Sequence, residues 1–178
     1  MGIDIIFVLG PSGVGKSDLA KALARKLDYE FYEVDQYPAD GIDVHGLRRE
    51  WDEFWLNVRP ESLVDLLCGR AAAARKTGIV VGFPSMLTLR GAHLRALNGK
   101  VRVVYLVGTE EQCRSAFLAR EQKTGRRPDA AHWNRNNKAM FDFLKTPEAK
   151  PYIVAAFDDN DRRSTEQILA DISDVTSD

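Results

Sequence analysis

The sequence predicts an α/β fold in three layers: a five-stranded parallel sheet with helices on both faces and a small lid. Three observations predict it. Strand-type and helix-type runs alternate along all 178 residues. The run Ile79-Val80-Val81 is short, unbroken and apolar, as expected of a strand covered on both faces. The turn between the first strand and the first helix is Gly10-Pro11-Ser12-Gly13-Val14-Gly15-Lys16-Ser17, which fits G-x-x-x-x-G-K-[ST] at every fixed position. Together they predict a P-loop NTPase fold in one domain spanning residues 1–178.

The elements follow in order. Residues 3–9 form an apolar β-type run that enters the glycine-rich turn. The helix leaving it places Leu19, Ala20, Leu23, Ala24 and Leu27 at helical spacing. Residues 29–34, rich in aromatics, form the second strand, and residues 36–46, with Pro38, Gly41 and Gly46, form a loop. Residues 47–56 are helical, with Trp51, Phe54 and Trp55 as core or as a wall beside a ligand. Pro60 suits the first turn of the next helix, which continues through Leu63, Leu66, Leu67, Arg70 and Ala74. After the third strand and Gly82-Phe83-Pro84-Ser85, a helix is expected over residues 87–97, stopped by Asn98-Gly99. Residues 101–107 are the fourth strand. Thr109 and Gln112 form a capping box for a helix running through Arg120 into a polar, basic stretch. A further helix covers residues 130–144, and residues 152–157 are the last strand. Residues 158–163 are a loop, and a second capping box, Ser164 with Gln167, starts the closing helix to about residue 175.

Composition narrows the function. Hydrophobic and charged fractions of 44% and 29% are those of a globular protein. The net charge of −1 lacks the basic field of a nucleic-acid binder. Cys68 and Cys113 stand at no metal-ligand spacing and are expected as buried free thiols in a reducing compartment. No basic-then-apolar leader opens the chain, Ile6 stands where a myristoylation signal needs Ser or Thr, and no apolar run is long enough to span a membrane. A cytoplasmic protein with no membrane or nucleic-acid partner is expected, as a monomer or weak homodimer.

The chemistry points to a nucleotide. Glycines let successive N–H groups turn inward on a polyphosphate, and the following helix directs its positive end at the same anion. Lys16 supplies a point charge for the terminal phosphates, and the Ser17 hydroxyl is a ligand for Mg²⁺. Gly10, Ser12, Gly13, Val14, Gly15, Lys16, Ser17 and Asp18 are therefore candidate nucleotide-binding residues. Glu33 and Asp35 share one face of the second strand at its carboxyl end. Ligands of parallel sheets bind at that end, so the turn, the acidic pair and Gly82 fall in one cleft. His45, His93 and His132 show no ligand spacing. Asn137-Lys138 lacks the following aspartate of a GTPase base-reading motif.

These residues resemble shikimate kinase and its relatives, the small P-loop kinases that include gluconate kinase and the nucleoside monophosphate kinases. The likeness runs over nearly the whole chain. It implies ATP and Mg²⁺ as cofactors and transfer of a phosphoryl group to a hydroxyl. Glu33-Val34-Asp35 matches the family's Asp-x-Asp: Asp35 would orient the acceptor hydroxyl and Glu33 would support Mg²⁺ through water. Arg59 matches the arginine that grips the acceptor's carboxylate, within an acceptor-binding segment at about residues 36–60. Arg120 and Arg127-Pro128 match the arginines of a lid at about residues 120–130, with Arg126 facing solvent. Asn160-Asp161-Arg162-Arg163 matches the basic adenine-side loop, with Arg162 on the nucleotide. Gly82, Phe83 and Pro84 stand where the family has Gly-Gly-Gly against the substrate ring, so Phe83 would fill space left open there. Gly-Phe-Pro also resembles adenylate kinases, but Val81 and Ser85 replace their flanking aspartate and arginine. The second acceptor-gripping arginine has only Lys150 as a weak match. The resemblance thus implies a kinase acting on a small, anionic, hydroxylated metabolite other than shikimate. The alternatives are a nucleoside or nucleoside monophosphate kinase, and a non-catalytic nucleotide-binding module.

Overall fold

The computed structural model describes residues 2–34, 48–85, 87–127, 129–159 and 161–175. Asp35, the predicted loop at 36–46 with His45, Pro128 and Asn160 lie outside them. Five strands form a parallel sheet: β1 (Asp4–Leu9), β2 (Glu30–Glu33), β3 (Gly78–Gly82), β4 (Arg102–Val107) and β5 (Ile153–Ala155), in spatial order β2-β3-β1-β4-β5. The helices are α1 (Lys16–Leu27), α2 (Arg48–Asn57), α3 (Glu61–Ala73), α4 (Ala92–Leu97), α5 (Glu110–Lys123), α6 (Ala130–Leu144) and α7 (Thr165–Val175).

Alternation along the strands feeds two cores. Ile5, Phe7, Leu9, Ile79, Val81 and Tyr105 join Phe54 of α2 with Leu63 and Leu67 of α3. Ile6, Val8, Val80, Val104 and Leu106 join Leu19 and Leu23 of α1 with Ile168 and Ile172 of α7. The central strands are therefore apolar along their buried length, polar only at the amino-terminal Asp4 and Arg102, as a sheet covered on both faces requires. Helix α6 serves both layers: Met140 and Phe143 enter the first, Trp133 and Phe141 the second.

Both predicted capping boxes form. The Thr109 hydroxyl accepts from Gln112 N–H while the Gln112 side chain accepts from Thr109 N–H. Ser164 and Gln167 repeat the exchange at α7. Two elements differ from expectation. Helix α4 begins at Ala92, although the pattern suggested a start near residue 87. The buried Tyr105 hydroxyl donates to the Leu89 carbonyl at 2.5 Å, and Gly91 has φ 53°, so the preceding segment stays out of the helical ladder. The last strand is shorter than expected. Tyr152 closes a 3₁₀ turn (Pro147–Tyr152), and the chain past Ala156 folds into a small antiparallel ribbon. That ribbon pairs β6 (Phe157–Asp158) with β7 (Asp161–Arg162) around Asp159 at φ 49°. Tertiary pairing thus converts part of the expected loop into the platform that carries Arg162.

Candidate nucleotide site at the carboxyl end of the sheet

In-register pairing aligns the strand ends. Glu33 of β2 pairs with Gly82 of β3, and Gly82 pairs with Val8 of β1, just before the glycine-rich turn. Phe31 packs on the α1-side core, so alternation puts Glu33 on the face that α1 covers. The carboxylate lies close over the neighbouring strand: a β-carbon on Gly82 would stand 2.7 Å from Glu33 Oε1. Gly82 therefore permits this acid to sit inward. Val34 N–H donates to the Gly82 carbonyl at 2.9 Å, which keeps the two strand ends together up to the last described residue of this segment.

The turn has the backbone its sequence demands. Gly10, Gly13 and Gly15 all have positive φ, at 142°, 91° and 96°. A side chain on Gly13 would run into the Cys113 carbonyl of α5, and one on Gly15 would strike the Arg162 guanidinium. Gly15 is the residue ahead of α1, and no side chain caps that helix. Its first N–H groups and positive dipole end are left for an anion. Lys16 is 8% exposed, and its ammonium donates to the Pro11 carbonyl at 3.1 Å, across the mouth of the turn. Val14 is buried beneath it, Ser17 is half-buried and Asp18 exposed. Arg162 Nη2 lies 3.6 Å from Asp18 Oδ2, so β7 and the start of α1 meet.

Ser12, at the tip of the turn, is held on every polar atom. Its N–H donates to Asn137 Oδ1 at 2.7 Å, and its carbonyl accepts from Trp133 Nε1 at 3.1 Å. Its hydroxyl lies 2.6 Å from the Ser85 hydroxyl. Sequence reasoning missed Asn137, Trp133 and Ser85 as site residues. One signal was available: an Asn four residues after a Trp, on the apolar face of a helix.

The acceptor-side candidates are spread out. Phe83 is 1% exposed and packs on Phe7 and Trp51 at centroid distances of 4.7 and 5.1 Å. Pro84 is buried with it. Trp51 stacks on Trp55 at 6.0 Å, and Trp55 on His93 at 4.9 Å, so the aromatics of α2 close one end of the core. Arg59 is exposed between α2 and α3. The Lys100 hydrogen bond and, more weakly, the Arg59 charge hold the neighbouring Glu61 carboxyl low.

The lid candidates sit at the end of α5. Arg120 is exposed and donates through Nε and Nη2 to Glu121 Oε1 at 3.2 and 3.0 Å. Arg126, also exposed, reaches Glu121 Oε2 at 3.6 Å. Glu121 is largely buried and gathers both guanidiniums; nothing in its sequence setting singled it out. Arg127 is exposed in the connection to α6. Below the turn, burial pushes the Cys113 thiol up to about 12, with the Lys16 charge pulling the other way.

The arrangement suits a nucleoside triphosphate with Mg²⁺. It has an uncapped helix start, a buried ammonium, inward-turning glycines and a serine hydroxyl. Among the described residues no group of three or more His, Cys, Asp or Glu could hold a metal.

Comparison with known proteins agrees. No family model matches the chain. A shikimate kinase of Legionella pneumophila (strain Corby) is 30% identical over 109 residues, 60% of this chain and 59% of that protein. The chain therefore spans under two thirds of the length of such relatives. Shikimate kinase 1 of Citrobacter koseri is 29% identical over 175 residues, covering 97% of this chain and 87% of that protein. Among solved structures, a gluconokinase from Sinorhizobium meliloti 1021 superposes with a TM-score of 0.55 at 22% identity, covering 97% of this chain and 90% of that one. The alternating sheet, the phosphate-type turn and these likenesses lead to one conclusion: the chain has the three-layer P-loop fold and is similar in sequence to shikimate kinases over nearly its whole length.

Proposed function

We propose that this protein is a kinase that uses ATP and Mg²⁺ to phosphorylate a hydroxyl of a small, anionic metabolite. The observation that carries it is the buried Lys16 ammonium at the uncapped start of α1, with the Arg162 guanidinium against Gly15. One anion-binding mouth thus has cationic groups on two sides. The N–H groups of the turn would hold the β- and γ-phosphates, and Arg162 would lie on the nucleoside side. The Ser17 hydroxyl, with Glu33 through water, would hold Mg²⁺, which supplies charge neutralisation on the phosphates.

Asp35 is assigned to orient the acceptor hydroxyl on sequence grounds, two residues past Glu33. Arg59 would grip the acceptor's anionic group as a bidentate fork. Arg120 and Arg127 would close over the transferring phosphoryl group and exclude water. Catalysis is then mainly positioning and charge stabilisation. The names of the relatives make shikimate and gluconate the first acceptors to try. The filled Phe83 position favours a different carboxylated polyol. A cytoplasmic monomer or weak homodimer without nucleic-acid or membrane partners completes the reading. The free thiols Cys68 and Cys113 support a reducing compartment, and no described helix is long and apolar enough to cross a membrane.

The test is ADP release from ATP across a panel of carboxylated polyols, sugars and nucleoside monophosphates, with Lys16→Ala as control. A carboxylated polyol should stimulate release in the wild type. Lys16→Ala should abolish it with an unchanged circular dichroism spectrum. Retained turnover in Lys16→Ala removes the mechanism, and stimulation by monophosphates alone moves the assignment to a nucleotide kinase.

A further inference from the structure

We infer that Asn137, with Trp133, is a positioning residue for the nucleotide's phosphates: α6 pins the tip of the phosphate turn through the Ser12 peptide. The inference rests on the reading of the turn as a nucleotide site.

A turn that offers its N–H groups to a ligand cannot spend them on itself. Within it, the Val14 N–H to Pro11 carbonyl bond is long, at 3.4 Å. Something outside must fix its shape if binding is not to bear the cost of ordering it. Ser12 is where that happens. Its N–H goes to Asn137, its carbonyl to Trp133 and its hydroxyl to Ser85, partners 125, 121 and 73 residues away in sequence.

The clamp is rigid at its far end. Asn137 and Trp133 are each 1% exposed. The Asn137 amide donates from Nδ2 to the Trp133 carbonyl one turn earlier at 2.7 Å, which locks its rotamer. Ser12 N–H can only donate, so Oδ1 must face it and the amide has one productive orientation. A buried amide used at both ends gains hydrogen bonds; one left unpaired costs the desolvation of each group. An apolar side chain in place of Asn137 leaves the part-buried Ser12 N–H without its acceptor. Helix α6 starts at Ala130, directly after the connection carrying Arg127, so the helix that grips the turn also anchors the proposed lid.

The experiment compares wild type, Asn137→Leu and Trp133→Phe. Leu keeps the branched shape of Asn without its polar atoms, and Phe keeps an aromatic ring while removing the indole N–H together with the five-membered ring that carries it. Titration with Mg·ATP should show Kd rising about tenfold in Asn137→Leu and about threefold in Trp133→Phe. With the active acceptor, KM for ATP should rise in step, while KM for the acceptor stays within about twofold. A purely structural role would lower the melting temperature and leave the nucleotide affinity of the folded protein unchanged. That outcome overturns the inference. Should Asn137→Leu fail to fold, Trp133→Phe decides it. A wild type that binds no nucleotide overturns the kinase reading and this inference together. Wild-type binding with unaltered variants overturns this inference alone.

Discussion

The Arg162 guanidinium rests on the backbone of Gly15, with no room for a β-carbon between them. Gly15 is thus needed twice, for a φ of 96° and for this approach. Arg162 reaches it because the chain past β5 turns back as the β6–β7 ribbon.

The first prediction tests that contact. Arg162→Ala should weaken Mg·ATP binding about tenfold, as expected for loss of a charge-assisted partner. Gly15→Ala should weaken it more, through strain as well as collision. The double variant should fall short of the sum of the two losses, because each single change disturbs the same contact. Calorimetric titration of the four proteins checks the cycle, and strict additivity would show that Arg162 does not act through Gly15.

A second prediction concerns Glu33 and Gly82. Gly82→Ala sets a methyl 2.7 Å from Glu33 Oε1 and must displace the carboxylate. Both Gly82→Ala and Glu33→Gln should raise the Mg²⁺ concentration needed for half-maximal turnover, with little change in metal-free nucleotide affinity. Titrating Mg²⁺ at fixed ATP measures it. An unchanged Mg²⁺ requirement in both variants would take Glu33 out of the metal site.

Glu121 supplies a third. Its two oxygens gather Arg120 and Arg126 at the end of α5. Both arginines are well exposed, so the pairs add little stability and Glu121→Gln should barely move the melting temperature. The loss should instead fall on kcat, on the order of tenfold, because Arg120 is no longer held in one geometry. Steady-state kinetics beside a thermal melt separates the two. A lower melting temperature with unaltered kcat would make Glu121 structural only.

The fourth rests on the thiols. Burial pushes Cys113 up to about 12. At pH 8 its thiolate fraction in the folded protein is then on the order of one part in ten thousand. The half-buried Cys68, also raised by burial, lies nearer solvent. A thiol reagent should modify Cys68 first and reach Cys113 only on unfolding. The folded state keeps the Cys113 proton above the ordinary thiol value of 9.0, while the unfolded chain releases it. Stability should therefore fall as pH rises from 9.0 toward about 12, and Cys113→Ala should flatten that part of the slope.

Much of the fold, and the turn at the centre of the candidate site, was legible in the chain. The phosphate turn was a contiguous motif between two periodic runs, so its strand, turn and helix followed from local rules. Both capping boxes were local in the same way, since each closes within four residues. Arg162 was singled out by its place in a basic loop, but the ribbon that delivers it was not, because its pairing depends on where β5 ends. Asn137 and Glu121 were missed for a different reason. Each is a polar residue inside a helical pattern, and its meaning depends on what lies opposite.

By itself, then, the amino-acid order determined the alternating elements, the parallel sheet and the anion-binding turn, since hydrophobic period, glycine spacing and caps act over a few residues. Only the tertiary structure decided that α6 holds Ser12, that Glu33 lies over Gly82, and that Phe83 packs on Phe7 and Trp51. Those contacts join residues far apart along the chain. Which side chain fills a given gap is settled by the packing of whole layers, and no local pattern encodes that.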